Sequence, residues 1–445
     1  MTFRIATLLL LSGAAVPALA QSPAARLRSE VEQRTQQVLP QVIAWRRDIH
    51  QHPELSNREV RTGKLVADQL TKLGLEVRSG VARTGVVGIL RGGKPGPVVA
   101  LRADMDALPV TEQVDLPFKS LVKTEYNGQQ VGVMHACGHD NHVAILLGVA
   151  TVLAGMKAQI PGTIKFIFQP AEEGPPAGEE GGAALMIKEG VLVDPAPGAI
   201  FGLHVWPAPV GTIGYRPGPL MAAADALNIM VRGKQTHGAV PWGGVDPIVV
   251  SSQIVLGLQT IASRQINVTQ QPAVITVGSI QGGNRGNIIP DSVVMQGTVR
   301  TFDEAMRTDI KERIRRTVEM IARSAGAEAK VDFGGAAGGF AAGVTINDSA
   351  LTAQMVPTLQ RTAGTANVSL SPLSMPAEDF ALYQQRVPGL FFFLGIVPQG
   401  TDPATAPRNH SPYFFADEAA LPVGVRALAN LALDWLTLNA AKPSP

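Results

Sequence analysis

The sequence predicts an α/β protein in two domains, a mainly parallel sheet flanked by helices and an inserted ferredoxin-like βαββαβ unit that divides it. Three observations predict this. The chain has 445 residues, more than the ~250–300 at which a single core stops growing. Short apolar runs at 98–101, 163–168, 200–205 and 390–394 have strand character and alternate with helix-length segments, the order expected of a mainly parallel sheet. Between the third and fourth of these runs, residues 226–333 read as strand, helix, strand, strand, helix, strand, which is the split βαβ order.

Taken from the start, residues 1–20 show Arg4, an apolar stretch at 5–11 and Ala18-Leu19-Ala20 before Gln21. That is the layout of a secretory signal peptide cleaved after Ala20, and its apolar part is shorter than the ~20 residues of a membrane span. Export is expected, with the periplasm as the first destination and full secretion as the alternative. Ser56 to Glu59 have the form of a capping box, so a helix should follow, with Val66, Leu70 and Leu73 on one face and Gly74 as its stop. Residues 141–154 are apolar nearly all round, which predicts a helix buried on both sides. The texture changes after Gly214. Strands are expected at 226–231, 273–280, 292–301 and 328–333, and helices at 247–266 and 304–325. A Gly/Ala-rich joint at 334–343 returns the chain to its first texture. The expected division is a signal at 1–20, a first part of the larger domain at 21–217, the inserted unit at 218–333, and the second part at 334–445.

Composition excludes several classes. Hydrophobic residues make up 45% and charged residues 17%, and Gly with Pro stays below the ~25–30% of low-complexity chains, so disorder is not the main state. A net charge of +2 provides no basic field for a phosphate backbone, and no nucleic acid partner is expected. No stretch of 18 or more uninterrupted apolar residues follows the signal, so no membrane span is expected. The single cysteine, Cys137, cannot form an intramolecular disulfide.

Histidine is scarce, eight in all, and three of the eight fall within 135–142 beside that cysteine. Cys137 and His139 sit just before the buried helix, where a helix N-terminus and a bound cation favour thiolate. Glu172 and Glu173 follow the strand ending at Phe168, at the sheet edge where ligands of α/β proteins bind. Asp104 and Asp106, His204 and His410 lie at comparable places. Cys137, His139, Glu173, His204 and His410 are too many for one catalytic zinc, which takes about three protein ligands. They suit two metals sharing a bridging ligand, and such a pair points to a hydrolase. Glu172 is then left without a metal and is placed to act as general base. Asp104 suits the layer behind the ligands, orienting an imidazole. His50, His52, His135 and His142 read as structural, with His135 nearest to a supporting role. The donors suit zinc, cobalt, nickel or manganese.

The sequence also carries longer motifs. They are Arg46-Arg47-Asp48-Ile49-His50 at the head of 46–55, Leu101-Arg102-Ala103-Asp104-Met105-Asp106, His135-Ala136-Cys137-Gly138-His139-Asp140 and Gln169-Pro170-Ala171-Glu172-Glu173-Gly174. Further on come Leu203-His204-Val205-Trp206-Pro207, residues 282–291, Glu378-Asp379-Phe380 and His410-Ser411-Pro412. Together they closely resemble the aminoacylase/carboxypeptidase metallopeptidase family, in its branch of hippurate hydrolases, N-acyl-amino-acid amidohydrolases and auxin-conjugate hydrolases. The resemblance runs from 46 to 412 in family order. It implies a dinuclear-metallopeptidase-like catalytic domain with two divalent metals, and an inserted lid that is also the dimerisation domain of a homodimer. Carried over, the ligands and the roles of Glu172 and Asp104 are those given above. His237 resembles the residue that reaches into the neighbouring subunit's site to steady the oxyanion, and Asn287 one that contacts substrate. Arg300 suits a substrate carboxylate by bidentate pairing. The chain departs from the pattern at Arg102, where much of the wider family has a His ligand, at Gln235-Thr236 in place of Gly-Gly, and at Ala377 in place of Ser. The expected reaction is hydrolysis of the amide of an N-acyl amino acid or a small peptide-like conjugate by metal-activated water. The alternatives are an exported dipeptidase or carboxypeptidase, and a silent metal- or ligand-binding protein, against which the retention of Glu172 argues.

Overall fold

The computed structural model describes residues 23–334 and 341–440. The expected signal at 1–20 and most of the joint at 334–343 lie outside the described residues. In chain order the first part holds α1 (Pro23–Gln51), α2 (Val60–Lys72), β1 (Glu76–Val81), β2 (Gly85–Arg91), β3 (Lys94–Asp104), α3 (His139–Ala154), β4 (Pro161–Gln169), β5 (Ala199–Pro209) and β6 (Ile213–Tyr215). Then come β7 (Ala223–Arg232), α4 (Pro247–Thr260), β8 (Ala273–Gln281), β9 (Ser292–Thr301), α5 (Glu304–Ser324) and β10 (Glu328–Phe333). The chain closes with α6 (Ser349–Ala363), β11 (Val368–Leu370), β12 (Gly389–Val397) and α7 (Leu421–Asn439).

The large sheet has the order β1-β2-β4-β3-β5-β12-β6-β11, and its four central strands, β4, β3, β5 and β12, are parallel. These are the four apolar runs of the sequence. They are apolar throughout because both faces are covered, as parallel sheets require. Side-chain alternation divides them. Val99, Leu101, Phe166, Phe201, Leu203, Phe392 and Leu394 enter the core under α1, α3 and α7. Ala100, Ile167, Ile200, Phe391 and Phe393 enter a second core on the opposite face. Arg102, Asp104 and His204 share the strand parity of this second face, and so polar chemistry is carried on one side only.

Helix α3 is buried over nearly its whole circumference, as its sequence predicts. The segment Glu418–Asn439 is long and apolar enough to cross a membrane by composition, but 72% of its apolar window is buried inside the protein, against α1, α3 and α6. The helix after Ser56 forms and stops at Gly74 (φ 76°), but the expected capping box does not. Glu59 is the N-cap and makes no side-chain cap bond. Tertiary partners outcompete the local motif: the Ser56 hydroxyl donates to Asp106, and buried Glu59 accepts from Thr84 and from the Ala171 amide.

The smaller unit is a four-stranded antiparallel sheet ordered β8-β9-β7-β10, packed with α4 and α5 over its own core of Leu227, Ile229, Ile254, Val293, Ile314 and Val318. Counted within the unit, the order is 2-3-1-4, the ferredoxin-like arrangement expected from its element order. The segment Gly218–Met221 pairs with Thr345–Asn347, and Leu220 and Met221 enter the second core of the larger body.

Candidate dinuclear metal centre

The centre lies where β3, β4 and β5 end. Cys137 is in the turn that leads into α3, whose first residue is His139. Gly138, between them, has φ 90°, and a Cβ there would stand 2.3 Å from Val205 Cγ2. The close approach of this turn to β5 therefore requires glycine. The loop after β4 turns at Ala171 (φ 53°) and presents Glu172 and Glu173. His410, at φ 70°, is tied to the same turn by its N–H, which donates to Ala136 O at 2.8 Å.

These elements bring all five predicted metal-ligating residues together. Donor atoms of Cys137, His139 and His204 lie within 4.8 Å of one another, as do those of Cys137, Glu173 and His410. Cys137 Sγ is 3.4 Å from His204 Nε2, and His410 Nε2 is 3.0 Å from Glu173 Oε1. Cys137 is common to these two groups, and His139 and Glu173 also recur among the donor groups. His204 Nδ1 contacts Val205 O at 2.7 Å, an arrangement that keeps the proton on Nδ1 and turns Nε2 toward the cluster. His139 Nε2 is buried and makes no hydrogen bond, a cost that a bound cation removes. Burial, with Glu173 and Glu172 next to it, pushes the Cys137 thiol well above its usual range, and a coordinated cation inverts that preference. Thiolate, imidazole and carboxylate together fit two divalent cations.

Glu172 is buried at the floor of this cluster. Burial and the neighbouring carboxyls of Glu378, Glu173, Asp379 and Asp104 push its pKa well above the ordinary carboxylate range. Asp104 contacts His142 Nδ1 at 2.5 Å, while His142 Nε2 accepts the Val205 amide at 2.9 Å. Both nitrogens of His142 are thus engaged, and it braces β5 under His204. Arg102 donates to Asp104 at 2.6 Å, to Gln169 at 2.9 Å and to Asp379 at 2.9 Å, and its Nη2 lies 2.9 Å from Glu378. Its fixed positive charge neutralises an acidic cluster at the position where the wider family pattern has a ligand. Deeper in, Asp140 pairs with Arg46 and His50 at 2.9 Å each. Burial opposes its ionisation, but these two neighbours hold its pKa far below the usual carboxylate range. His135 is buried beside them with both ring nitrogens unpartnered, and burial drives its pKa down to about 3.

A cavity of about 1010 Å³ opens over the cluster, lined by Cys137, Glu172, Glu173, His204 and His410 and also by Arg300 of β9. Its apolar wall includes Trp206 stacked on Phe393, with ring centroids 4.3 Å apart. His237 and Asn287 are exposed and do not line it. They are neighbours on a two-stranded ribbon, Thr236–His237 against Ile288–Ile289, where the Gly238 N–H donates to Asn287 O at 2.8 Å.

Sequence reasoning named Asp106 without a role and passed over Asn409 and Arg102 as working parts. Asn409 donates its side-chain amide to Cys137 O at 3.1 Å. Asp106 accepts the backbone amides of both Glu172 and Glu173 at 3.0 Å. The signal for Arg102, Asp104 and Asp106 was their spacing of two, continuing the parity of an apolar strand past its end at Asp104. Asn409 had no such signal.

A buried carboxylate beside donor groups that fit two cations, under an open cavity, is the arrangement of a metal-dependent hydrolase. The chain belongs to the peptidase family M20/M25/M40, whose family model matches residues 100–434. It is 44% identical over 398 residues to thermostable carboxypeptidase 2 of Saccharolobus solfataricus, covering 88% of this chain and 95% of that one. It is 40% identical over 394 residues to N-acetylcysteine deacetylase of Bacillus subtilis, covering 88% and 96%. Among solved structures it resembles the Bacillus subtilis YXEP protein, described as a dinuclear metal binding peptidase of the M20 family. That match has a TM-score of 0.73 and 37% identity, covering 90% of this chain and 99% of that one.

Proposed function

We propose that this protein hydrolyses the amide bond of N-acyl amino acids of the hippurate type or of small peptide-like conjugates, with Glu172 as general base. The observation that carries the proposal is Glu172 itself, a buried carboxylate with a raised pKa that faces the cavity beside Cys137, Glu173, His204 and His410. Such a group can take a proton from water and hand it to the leaving amine. Cys137, His139, Glu173, His204 and His410 hold two divalent ions of zinc, manganese, cobalt or nickel. When bound, these ions lower the pKa of a water and polarise the scissile carbonyl. Asp104 acts through His142, keeping β5 and His204 in place.

Arg300 has room to bind the substrate carboxylate. Burial lowers its pKa somewhat, and the nearby acid, Asp225, is already engaged by Arg307 at 2.6 and 2.8 Å. The wall of Trp206 and Phe393 suits an acyl group, and the cavity is at the upper end of the ~300–1,000 Å³ of small-molecule sites. The four-stranded unit, residues 218–333 in the sequence division, serves as lid and dimer contact. In this reading the exposed His237 and Asn287 serve the site of a second copy, and 1–20 direct the chain to the periplasm or beyond. The names of the relatives support two substrates, since one is called a deacetylase and another a carboxypeptidase. Amine release from hippurate and N-acetyl amino acids, compared with an unblocked dipeptide at defined metal content, decides between them. Faster turnover of the blocked substrates is expected; preference for the dipeptide would overturn the proposal in favour of a carboxypeptidase. No activity under any added metal after chelation would leave only a binding role.

A further inference from the structure

The geometry points to Asp106 as the positioning residue of this centre, the group that sets Glu172, Glu173 and His139 relative to one another. The inference rests on the two-cation reading above. Asp106 lies two residues beyond β3 and is 1% exposed. Among the described residues it belongs to none of the groups whose donor atoms converge on a cation position.

Its carboxylate is divided among four neighbours. Oδ1 accepts the Glu172 backbone N–H at 3.0 Å, and Oδ2 accepts the Glu173 N–H at 3.0 Å and the Ser56 hydroxyl at 2.7 Å. Oδ1 also lies 3.3 Å from His139 Nδ1, a contact that makes no hydrogen bond but is close enough for charge to act. The preceding amide, that of Ala171, donates to Glu59 Oε1 at 2.9 Å. Three successive N–H groups, turned inward where Ala171 takes its left-handed conformation, therefore close on two buried carboxylates. Consecutive amides arranged in this way form a concave anion site, and here the anion is the protein's own side chain.

Two consequences follow for the centre. With the backbone held at 172 and 173, one carboxylate oxygen of each side chain takes a different partner. Glu172 Oε1 meets the Asp379 amide at 3.4 Å and Glu173 Oε1 meets His410 at 3.0 Å. A negative oxygen beside Nδ1 also favours a proton there, which leaves Nε2 of His139 free as a donor atom. Asp104 is less well placed to orient His139, since its nearest approach to Nδ1 is 3.9 Å and its oxygens are engaged by His142 and Arg102.

The test compares the full-length wild type with Asp106→Asn and Asp106→Glu. Asn keeps the size but sets an NH2 group against one of the two backbone donors. Zinc affinity, measured by competition with a chromophoric chelator, should fall roughly 10–100-fold in Asp106→Asn. At saturating zinc, kcat on hippurate should fall by about two orders of magnitude while KM stays within about threefold. Asp106→Glu should recover part of both, and the metal-free melting temperature should change little. Zinc affinity and kcat within about threefold of wild type would overturn the inference. So would a loss in both variants that is matched in full by unfolding of the metal-free protein. Should Asp106→Asn fail to fold, Ser56→Ala removes only the hydroxyl tether. A several-fold weaker zinc affinity at an unchanged metal-free melting temperature is then expected, and unchanged affinity overturns the inference. If the wild type cleaves no amide, the proposed reaction fails, while the affinity comparison still judges Asp106.

Discussion

Replacing Glu172 with Gln separates its chemistry from its place in the fold. The residue is 5% exposed, and Gln keeps its volume and an acceptor for the Asp379 N–H at 3.4 Å. It cannot take a proton. General acid–base catalysis contributes ~10²–10⁴ in rate, and at about 1.36 kcal/mol per tenfold that is about 2.7–5.4 kcal/mol on the barrier. Stability should move the other way. Because burial and the carboxyls of Glu378, Glu173, Asp379 and Asp104 raise the Glu172 pKa in the folded state, folding favours the protonated form. That preference is fully present below the unfolded value of about 4.3 and is lost as pH rises through the folded one. Above that range the charged group opposes folding, and Gln removes the opposition. The metal-free variant should therefore melt at or above the wild-type temperature, with the gain growing toward alkaline pH. Amine release from hippurate at saturating zinc measures kcat, and elemental analysis of the same sample measures bound metal. If kcat stays within about threefold of wild type with two ions bound, Glu172 is not the base. If activity falls only in step with lost metal, it is a ligand instead.

Three more outcomes are expected. Cys137→Ser should reduce bound metal per subunit, because its sulfur belongs to two of the donor groups; unchanged metal content by elemental analysis counts against a ligand role. Gly138→Ala combines a left-handed backbone costing ~1–2 kcal/mol with a Cβ 2.3 Å from Val205 Cγ2, an overpacking of about 1–3 kcal/mol. A lower melting temperature should result, and an unshifted one would refute the close approach. Asp225 is 3% exposed and holds Arg307 at 2.6 and 2.8 Å and Lys311 at 2.5 Å. Breaking such a cluster by Asp225→Asn should cost roughly 3–5 kcal/mol. Burial opposes its ionisation, but Arg307 and Lys311 lower the Asp225 pKa, so its contribution is present above the unfolded value of about 3.9 and is lost as pH falls through the folded one. Faster amide hydrogen exchange in β7 and α5 checks the first statement, and a melting curve across acid pH checks the second.

Much of this was legible because the parallel strands write themselves as unbroken apolar runs, and because ligands placed after such runs converge wherever the strands end. The ferredoxin-like order was readable for the same reason, each element carrying its own period. What stayed hidden were choices made between distant segments. Ser56 and Glu59 match a capping box, yet each finds a better partner brought in by the fold, Asp106 for one and the Ala171 amide for the other. His142 reads as structural in the sequence, but nothing there shows which partners hold it, Asp104 on one nitrogen and the Val205 amide on the other. No local pattern distinguishes Asp104 from Asp106, which differ only in whom they meet.

The five converging donor residues span 137 to 410, with the whole four-stranded unit lying between His204 and His410 along the chain. The group of Cys137, Glu173 and His410 is complete only once the chain beyond the four-stranded unit has folded back. Contacts separated so widely in sequence form late, because loop closure must precede them. On the proposed assignment, the position that uses His410 is therefore completed only when residue 410 reaches the Cys137 turn, where the His410 amide donates to Ala136 O and the Asn409 side-chain amide to Cys137 O. On that assignment, metal stoichiometry would report whether the segments at 137 and 410, so far apart in the chain, have come together.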